Sequence, residues 1–403
     1  MPSKTKKEFS LKPFEVATVV PLGTECPRPR SGHRIVCGDD EHLYLFGGYN
    51  PLLAPSYIYD GDPTWSLQNP LFRELWTYSI ANRSWKLHHD VQNMPEELAS
   101  SAMCIYGKYI LIFGGTGLPF GIKRSNDLTI WDTSNKNKEG STFVVAETNG
   151  QRPPGLYGQC IVCHDDHLYT VGGTEGFDFN CDVYRLNLRT MTWKPLYIGK
   201  GLDDPAGRYR HEVVVYDNKL YVLGGGTALQ AFDLMDIPAF DLATNTWAFQ
   251  VTKPDDFFTP PMGPQPRKCH SAVQLPAPNN NQVFVACGFD GSNLFNCVWQ
   301  LNLKDFQWTQ IRSSAMPKQM YFHSSTVTSA GCMYVFGGIQ IQGNSIIRNN
   351  KMFKIWLCVP KLSEMAWEAV KYYFPHIGKE SRQTLIHEGI PVHFVDRISP
   401  AAE

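Results

Sequence analysis

The chain has 403 residues, 43% of them apolar, and its 37 Lys plus Arg are balanced by 38 Asp plus Glu. Length and apolar content allow a large core, while the charge balance leaves no global field to hold nucleic acid or an anionic membrane surface. The Lys-rich amino end, MPSKTKKEFSLKPF, is followed by no apolar signal core, and no stretch approaches the roughly 18 apolar residues of a membrane span. A soluble protein of the cytoplasm or nucleus is expected. The 11 cysteines are odd in number and mostly sit inside apolar runs, such as Cys104 and Cys287, so they are expected to be reduced core thiols. Cys160 and Cys163 form a CxxC, but on a strand positions three apart face opposite sides, which argues against a metal there.

Taken from the amino end, residues 1–11 read as a flexible terminus, and an apolar segment, PFEVATVVPLG, follows. A short apolar run ending in a glycine pair then recurs six times. It appears as HLYLFGG (Gly47, Gly48), YILIFGG (Gly114, Gly115), HLYTVGG (Gly172, Gly173), KLYVLGG (Gly224, Gly225), QVFVACG (Cys287, Gly288) and CMYVFGG (Gly337, Gly338). The steps are 67, 58, 52, 63 and 50 residues. Consecutive apolar positions suit strands covered on both faces. Trp193, Trp247 and Trp308 follow the second glycine by 20, 22 and 20 residues, whereas Trp85 follows by 37 because residues 50–70 are an insertion. These tryptophans read as packing residues.

A second phrase precedes four of the six runs: RSGH (Arg30–His33), RYRH (Arg208–His211), RKCH (Arg267–His270) and MYFH (Met320–His323). Glycine pair, closing tryptophan and this phrase, in constant order over residues 14–357, resemble kelch repeats. The resemblance implies an all-β fold, a six-bladed kelch β-propeller over residues 12–358, with a short α-helical tail over 359–403. The last unit has a third strand, MFKIWL, but no fourth ending in Trp. The amino segment is therefore expected to supply the missing outer strand and close the ring.

In a closed ring, residues that obey the repeat are framework, and those that break it at the rim are candidates for function. His33, His211, His270 and His323 obey it and read as structural. Just before them, units four and five place Arg208, Tyr209, Arg210, Arg267 and Lys268, and unit one adds Arg30. The other units place Leu98, Tyr157, Tyr321 and Phe322 there. A mouth basic on one side and aromatic on the other fits a peptide with an anion at one end, since guanidinium binds carboxylate bidentately. Arg210 stands where units one and three have Gly32 and Gly158, so it breaks the repeat. No catalytic triad, carboxylate pair or metal-ligand set emerges, so no enzymatic activity and no cofactor are expected.

After Pro360, Leu362, Ala366 and Val370 recur at i, i+4 and i+8, which predicts an amphipathic helix ending near Phe374 and Pro375. This tail resembles an elongin-binding box followed by a cullin box. With the phrases LFRELW, GGTGLPFG, RYRHE, LGGGT, AGCMY and FKIWL, the chain is similar to the kelch-domain-containing substrate receptors of cullin-2 RING ubiquitin ligases. That resemblance implies elongin B, elongin C and cullin-2 as partners, held by Leu362, Ala366, Val370, Phe374 and Pro375. It also implies recognition of carboxy-terminal degrons ending in Gly. Related receptors clamp the carboxylate partly with arginines after a glycine pair. The matching loop here, GGGTALQAF, has none, so the clamp is expected from the RYRH and RKCH phrases. Two alternatives stay open: helical packing of the tail against the propeller, and a kelch scaffold or regulator of a signalling enzyme in a stress-kinase or phosphatase pathway.

Overall fold

A computed structural model describes residues 8–51, 70–89, 91–134, 140–199, 204–343 and 345–398. Most of the insertion expected at 50–70 and the first residues of the amino terminus lie outside them. The described residues form a six-bladed β-propeller. Each blade is a four-stranded antiparallel meander, and blade 3 carries a fifth, two-residue strand, Asn149–Gly150, parallel to Thr192–Tyr197. The innermost strands are Arg34–Cys37, Ala102–Tyr106, Cys160–His164, Glu212–Tyr216, Ser271–Gln274 and Ser324–Val327, each packed against its neighbours around the central channel. First and last meet directly: the amides of Ile35 and Cys37 donate to Ser324 Oγ and Thr326 Oγ1 at 3.1 and 2.8 Å.

Blade 6 takes its outer strand from the amino end. Ala17–Val19 pairs antiparallel with Met352–Trp356, Ala17 opposite Lys354 and Val19 opposite Met352. Residues 8–11, expected to be flexible, are tied down instead. The Phe9 amide donates to Tyr373 Oη at 3.0 Å and Leu11 packs on the core between blades 6 and 1. A short aromatic and a leucine find apolar surface that composition alone did not disclose.

The core consists of six wedges, one between each pair of neighbouring blades. The closing tryptophans fill them: Trp85 packs edge-on to Phe336 of blade 6 at 5.2 Å, and Trp193 on Phe113 of blade 2 at 5.3 Å. Cys160 and Cys163 point into different wedges.

The glycine pair stitches blades together. The amide of each second glycine donates to a carbonyl of the next blade: Gly48 to Leu98, Gly115 to Leu156, Gly173 to Arg208, Gly225 to Arg267, Gly288 to Met320 and Gly338 to Arg30, at 2.8–2.9 Å. So close an approach excludes a side chain; a Cβ on Gly337 would stand 2.6 Å from His33 Cε1, and its φ of +67° is itself left-handed. The repeat histidines occupy the same seam. His33 Nε2 bonds Phe336 O and His211 Nε2 bonds Val171 O, both at 3.1 Å, while His323 Nε2 meets Ser271 Oγ at 2.8 Å.

Three helices follow: α1 (Leu362–Tyr373), α2 (Arg382–His387), capped by Ser381, and α3 (Val392–Ile398). They share a small core of Trp367, Ile377, Leu385, Phe394 and Val395. Among the described residues no helix is long and apolar enough to cross a membrane.

Candidate functional site

The residue before each repeat histidine, or before Ser101 and Gln159 in units two and three, lies at the mouth of the channel. All six are left-handed: Gly32, Ser100, Gly158, Arg210, Cys269 and Phe322, with φ between +53° and +70°. Their backbones form a closed hydrogen-bonded ring. Ser100 donates to Gly32, Gly158 to Ser100, Arg210 to Gly158, Cys269 to Arg210, Phe322 to Cys269 and Gly32 to Phe322, at 2.7–3.1 Å. Left-handed backbone is uncommon for residues other than glycine, so Ser100, Arg210 and Phe322 are presented at the mouth at some conformational cost.

Arg210 dominates this ring. It lies with its guanidinium 4.7 Å from the centroid of Phe322, and its Nη2 donates to Ser100 Oγ. Gly32 makes room: a Cβ there would stand 3.1 Å from Arg210 Nη2. Above the ring opens a cavity of about 280 Å³ lined by Arg210, Ser31, Ser100, Tyr49, Phe120, Tyr157, Tyr209, Phe322, Ile339 and Arg348, with Gly32, Ala99 and Thr116 between them. Arg348 enters from a hairpin inserted in blade 6, Ile339–Gln342 with Ser345–Arg348, and its Nε reaches Ser31 Oγ at 3.4 Å. Burial pulls Arg210 down to about 10, with Arg34 adding to the effect, and burial likewise lowers Arg348; both stay protonated at neutral pH. Among the described residues neither has a carboxylate within ion-pair reach, and Arg210 Nε has no hydrogen-bond partner. Two sheltered guanidiniums with no ion-pair partner among the described residues, set in an aromatic-walled cup, have the chemistry to take an anion.

The cavity thus brings together Tyr157, Tyr209, Arg210 and Phe322 of the residues expected from sequence, and leaves out five. Arg30, Arg208 and Arg267 are framework. Each is buried, donates through Nη1 to the backbone of its own blade's glycine-pair segment (Gly47 O, Gly224 O, Cys287 O) at 2.9–3.0 Å, and stacks on Phe72, Phe232 or Phe295. Arg30 is further neutralised by Glu74 at 2.5 Å. Lys268 Nζ is spent on the carbonyls of Thr227 and Ala228, at 2.5 and 3.3 Å, and braces that loop. Tyr321 packs on Phe289 and Phe322, behind the cavity wall. The sequence reading missed Arg348, Tyr49, Phe120 and Ser31. The only signal for Arg348 was that its hairpin interrupts the blade after the glycine pair.

The KLHDC2/KLHL20/DRC7 Kelch-repeats domain profile matches residues 9–225, and the Attractin/LZTR1 beta-propeller profile matches 175–371. The Kelch domain-containing protein 10 homolog of Drosophila melanogaster is 43% identical over 390 residues, covering 93% of this chain and 62% of that protein. The human Kelch domain-containing protein 10 is 39% identical over 378 residues, covering 93% and 81%. The chain belongs to the Kelch domain-containing protein 10 family. Mouse Kelch domain-containing protein 1 is 25% identical over 334 residues, 77% of this chain and 75% of that protein. The chain spans under two thirds of the Drosophila relative's length.

In this member of the Kelch domain-containing protein 10 family, the tail both docks and leaves a face open. Trp367 Nε1 donates to the buried Glu41 at 3.1 Å, and Glu368 sits between Lys354 and Lys371 at 2.8 and 2.7 Å. Burial opposes the charge of Glu368, but the two lysines hold its carboxyl down to about 2. Away from Trp367, Leu362 is 83% exposed and Ala366, one turn on, is exposed, while Phe374, just past the end of α1, is 64% exposed. Val370 is half-buried on the tail core and Pro375 is half-buried.

Proposed function

We propose that this chain is the substrate-recognition subunit of a cullin-2 RING ubiquitin ligase, binding carboxy-terminal degrons that end in Gly. The observation that carries the reading is Arg210: a buried guanidinium at the propeller mouth, set on an aromatic face, without a carboxylate of its own. A terminal carboxylate supplies the missing charge and can accept from both Arg210 and Arg348. A terminal Gly brings no side chain into the crowded ring, and the tyrosine and phenylalanine walls cover the residues behind it. The exposed Leu362 and Ala366, one turn apart on α1, with the exposed Phe374 just beyond its end, support an elongin-binding role for the tail, because exposed apolar side chains so placed suit a partner's groove.

Two measurements test the reading. A fluorescent peptide ending in Gly is titrated with its free carboxylate and as its amide, and the amide is expected to bind at least tenfold more weakly. The chain is also co-expressed with elongin B and elongin C, which are expected to co-purify. Equal binding of acid and amide would overturn the degron role. Failure to co-purify would overturn the ligase role, leaving a peptide-binding scaffold.

A further inference from the structure

The carboxylate whose charge acts on Arg210, that of Glu212, is paired with another arginine. Glu212, two residues further along blade 4, faces the central channel, where its Oε1 accepts from Arg34 Nη1 at 3.0 Å. Arg34 reaches it from blade 1, on the far side of the ring, and anchors its own Nε to Ser101 O at 3.1 Å. The two arginines therefore flank one short segment: Arg210 bonds the Ser100 hydroxyl and Arg34 the adjacent Ser101 carbonyl. One carboxylate serves two guanidiniums at the propeller axis, and it goes to Arg34. The side chains of Arg34 and Glu212 are only 12% and 15% exposed, so the pairing is sheltered from solvent. Burial works against Arg34, yet Glu212 raises its pKa above the ordinary value, while Arg34 in turn adds to the lowering at Arg210.

We infer that Arg34 is a positioning residue for the mouth: by holding Glu212 across the channel it keeps Arg210 turned onto Phe322 and uncompensated, ready for a ligand anion. The inference rests on the reading of the mouth as a carboxylate site. Removing one partner of a buried ion pair leaves an isolated charge, which draws in any counter-charge within reach. Without Arg34, Glu212 captures Arg210 and neutralises the receptor from within. Without the charge on Glu212, two guanidiniums remain and the pocket becomes a stronger anion site. The two halves of one ion pair therefore act on ligand binding with opposite signs. A bracing role would give the same sign for both.

The test uses the full chain and the Gly-ended peptide of the previous section. R34M is expected to weaken binding of the free acid at least tenfold, and E212Q to tighten it several-fold. The double variant R34M/E212Q is expected to return to within about threefold of the parent, because nothing remains to capture Arg210. R34M and E212Q weakening alike, or a double variant as weak as R34M, overturns the inference. A crystal structure of R34M decides the matter without a ligand: Arg210 should leave Phe322 and lie within 4 Å of Glu212, by the ordinary ion-pair criterion. Arg210 still stacked on Phe322 above an unpaired Glu212 refutes the capture mechanism. If the parent itself binds acid and amide equally, the carboxylate reading fails, and the R34M structure still tells whether Arg34 sets the position of Arg210.

Discussion

Arg210 of blade 4 lies across the face of Phe322 of blade 6, bridging the mouth of the propeller with 4.7 Å between guanidinium carbon and ring centroid. The stacking holds the charge in place without neutralising it, since the aromatic face attracts a cation while leaving the edge of the guanidinium free to donate.

Arg210→Ala should weaken a Gly-ended peptide by about tenfold or more, because a charge-assisted hydrogen bond is worth roughly 1.5 to 3 kcal/mol. Amidating the peptide should cost the parent a similar factor and the variant little further, since the pair is already broken. Mutation and amidation adding in full would show that Arg210 does not touch the carboxylate. Fluorescence anisotropy on the four combinations measures the coupling.

The repeat histidines make the ring acid-labile. Burial pulls His211 and His323 down to about 3, and His33 and His270 well below the ordinary value. Their folded pKa values lie below the unfolded ones, so the unfolded chain takes up protons first as pH falls. The stability they contribute is fully present above about pH 6.5 and is lost as pH falls below it, for His211 and His323 progressively toward pH 3. Thermal melts should be flat from pH 7 to 8 and fall steeply below pH 6. A midpoint at pH 5 equal to that at pH 7.5 would contradict the assignment.

Removing residues 1–20 should unravel blade 6. The deletion takes away Ala17–Val19, the Phe14 amide bond to Trp356 O at 2.8 Å and the Ser314 hydroxyl bond to Phe14 O at 2.6 Å, and it exposes an edge of Met352–Trp356. At roughly 2–4 °C per kcal/mol for a large domain, a drop of more than about 5 °C is expected. A truncated chain melting with the parent would mean that blade 6 holds without its outer strand.

Six internal copies gave the sequence its own alignment, which is why the ring, the packing tryptophans and the structural histidines could be read from it. Arg210 stood out for the same reason, as a side chain where two other units have Gly32 and Gly158. The same alignment could not separate Arg210 from Arg208, because neighbours two residues apart look alike as letters. In space Arg208 turns inward onto Phe232 and Arg210 crosses the mouth. A further regularity could have told them apart: Phe232 and Phe295 both stand seven residues after the second glycine of their units and mark Arg208 and Arg267 as stacked framework. Arg348 had no counterpart to be compared with, since its hairpin occurs in one blade.

The tail offers a sharper separation of docking from recruitment, because its two apolar faces do different things. Leu362 is 83% exposed, so Leu362→Asp should change folding stability by no more than about 0.5 kcal/mol, as surface substitutions do. It should nevertheless abolish co-purification of elongin B and elongin C, since an unpaired carboxylate cannot be buried in an apolar groove. Trp367 is buried, stacks on Phe394 at 4.9 Å and caps the carboxylate of Glu41. Trp367→Ala should therefore cost about 3–5 kcal/mol of tail packing and leave Glu41 without its donor. In that variant the tail should become sensitive to limited proteolysis while the propeller still melts as a unit. Peptide binding at the mouth should survive both changes, because neither residue approaches Arg210. A Leu362→Asp protein that keeps its elongins would remove the recruiting role from this face of α1. One whose tail is cleaved as readily as in Trp367→Ala would make the exposed stripe a structural contact instead.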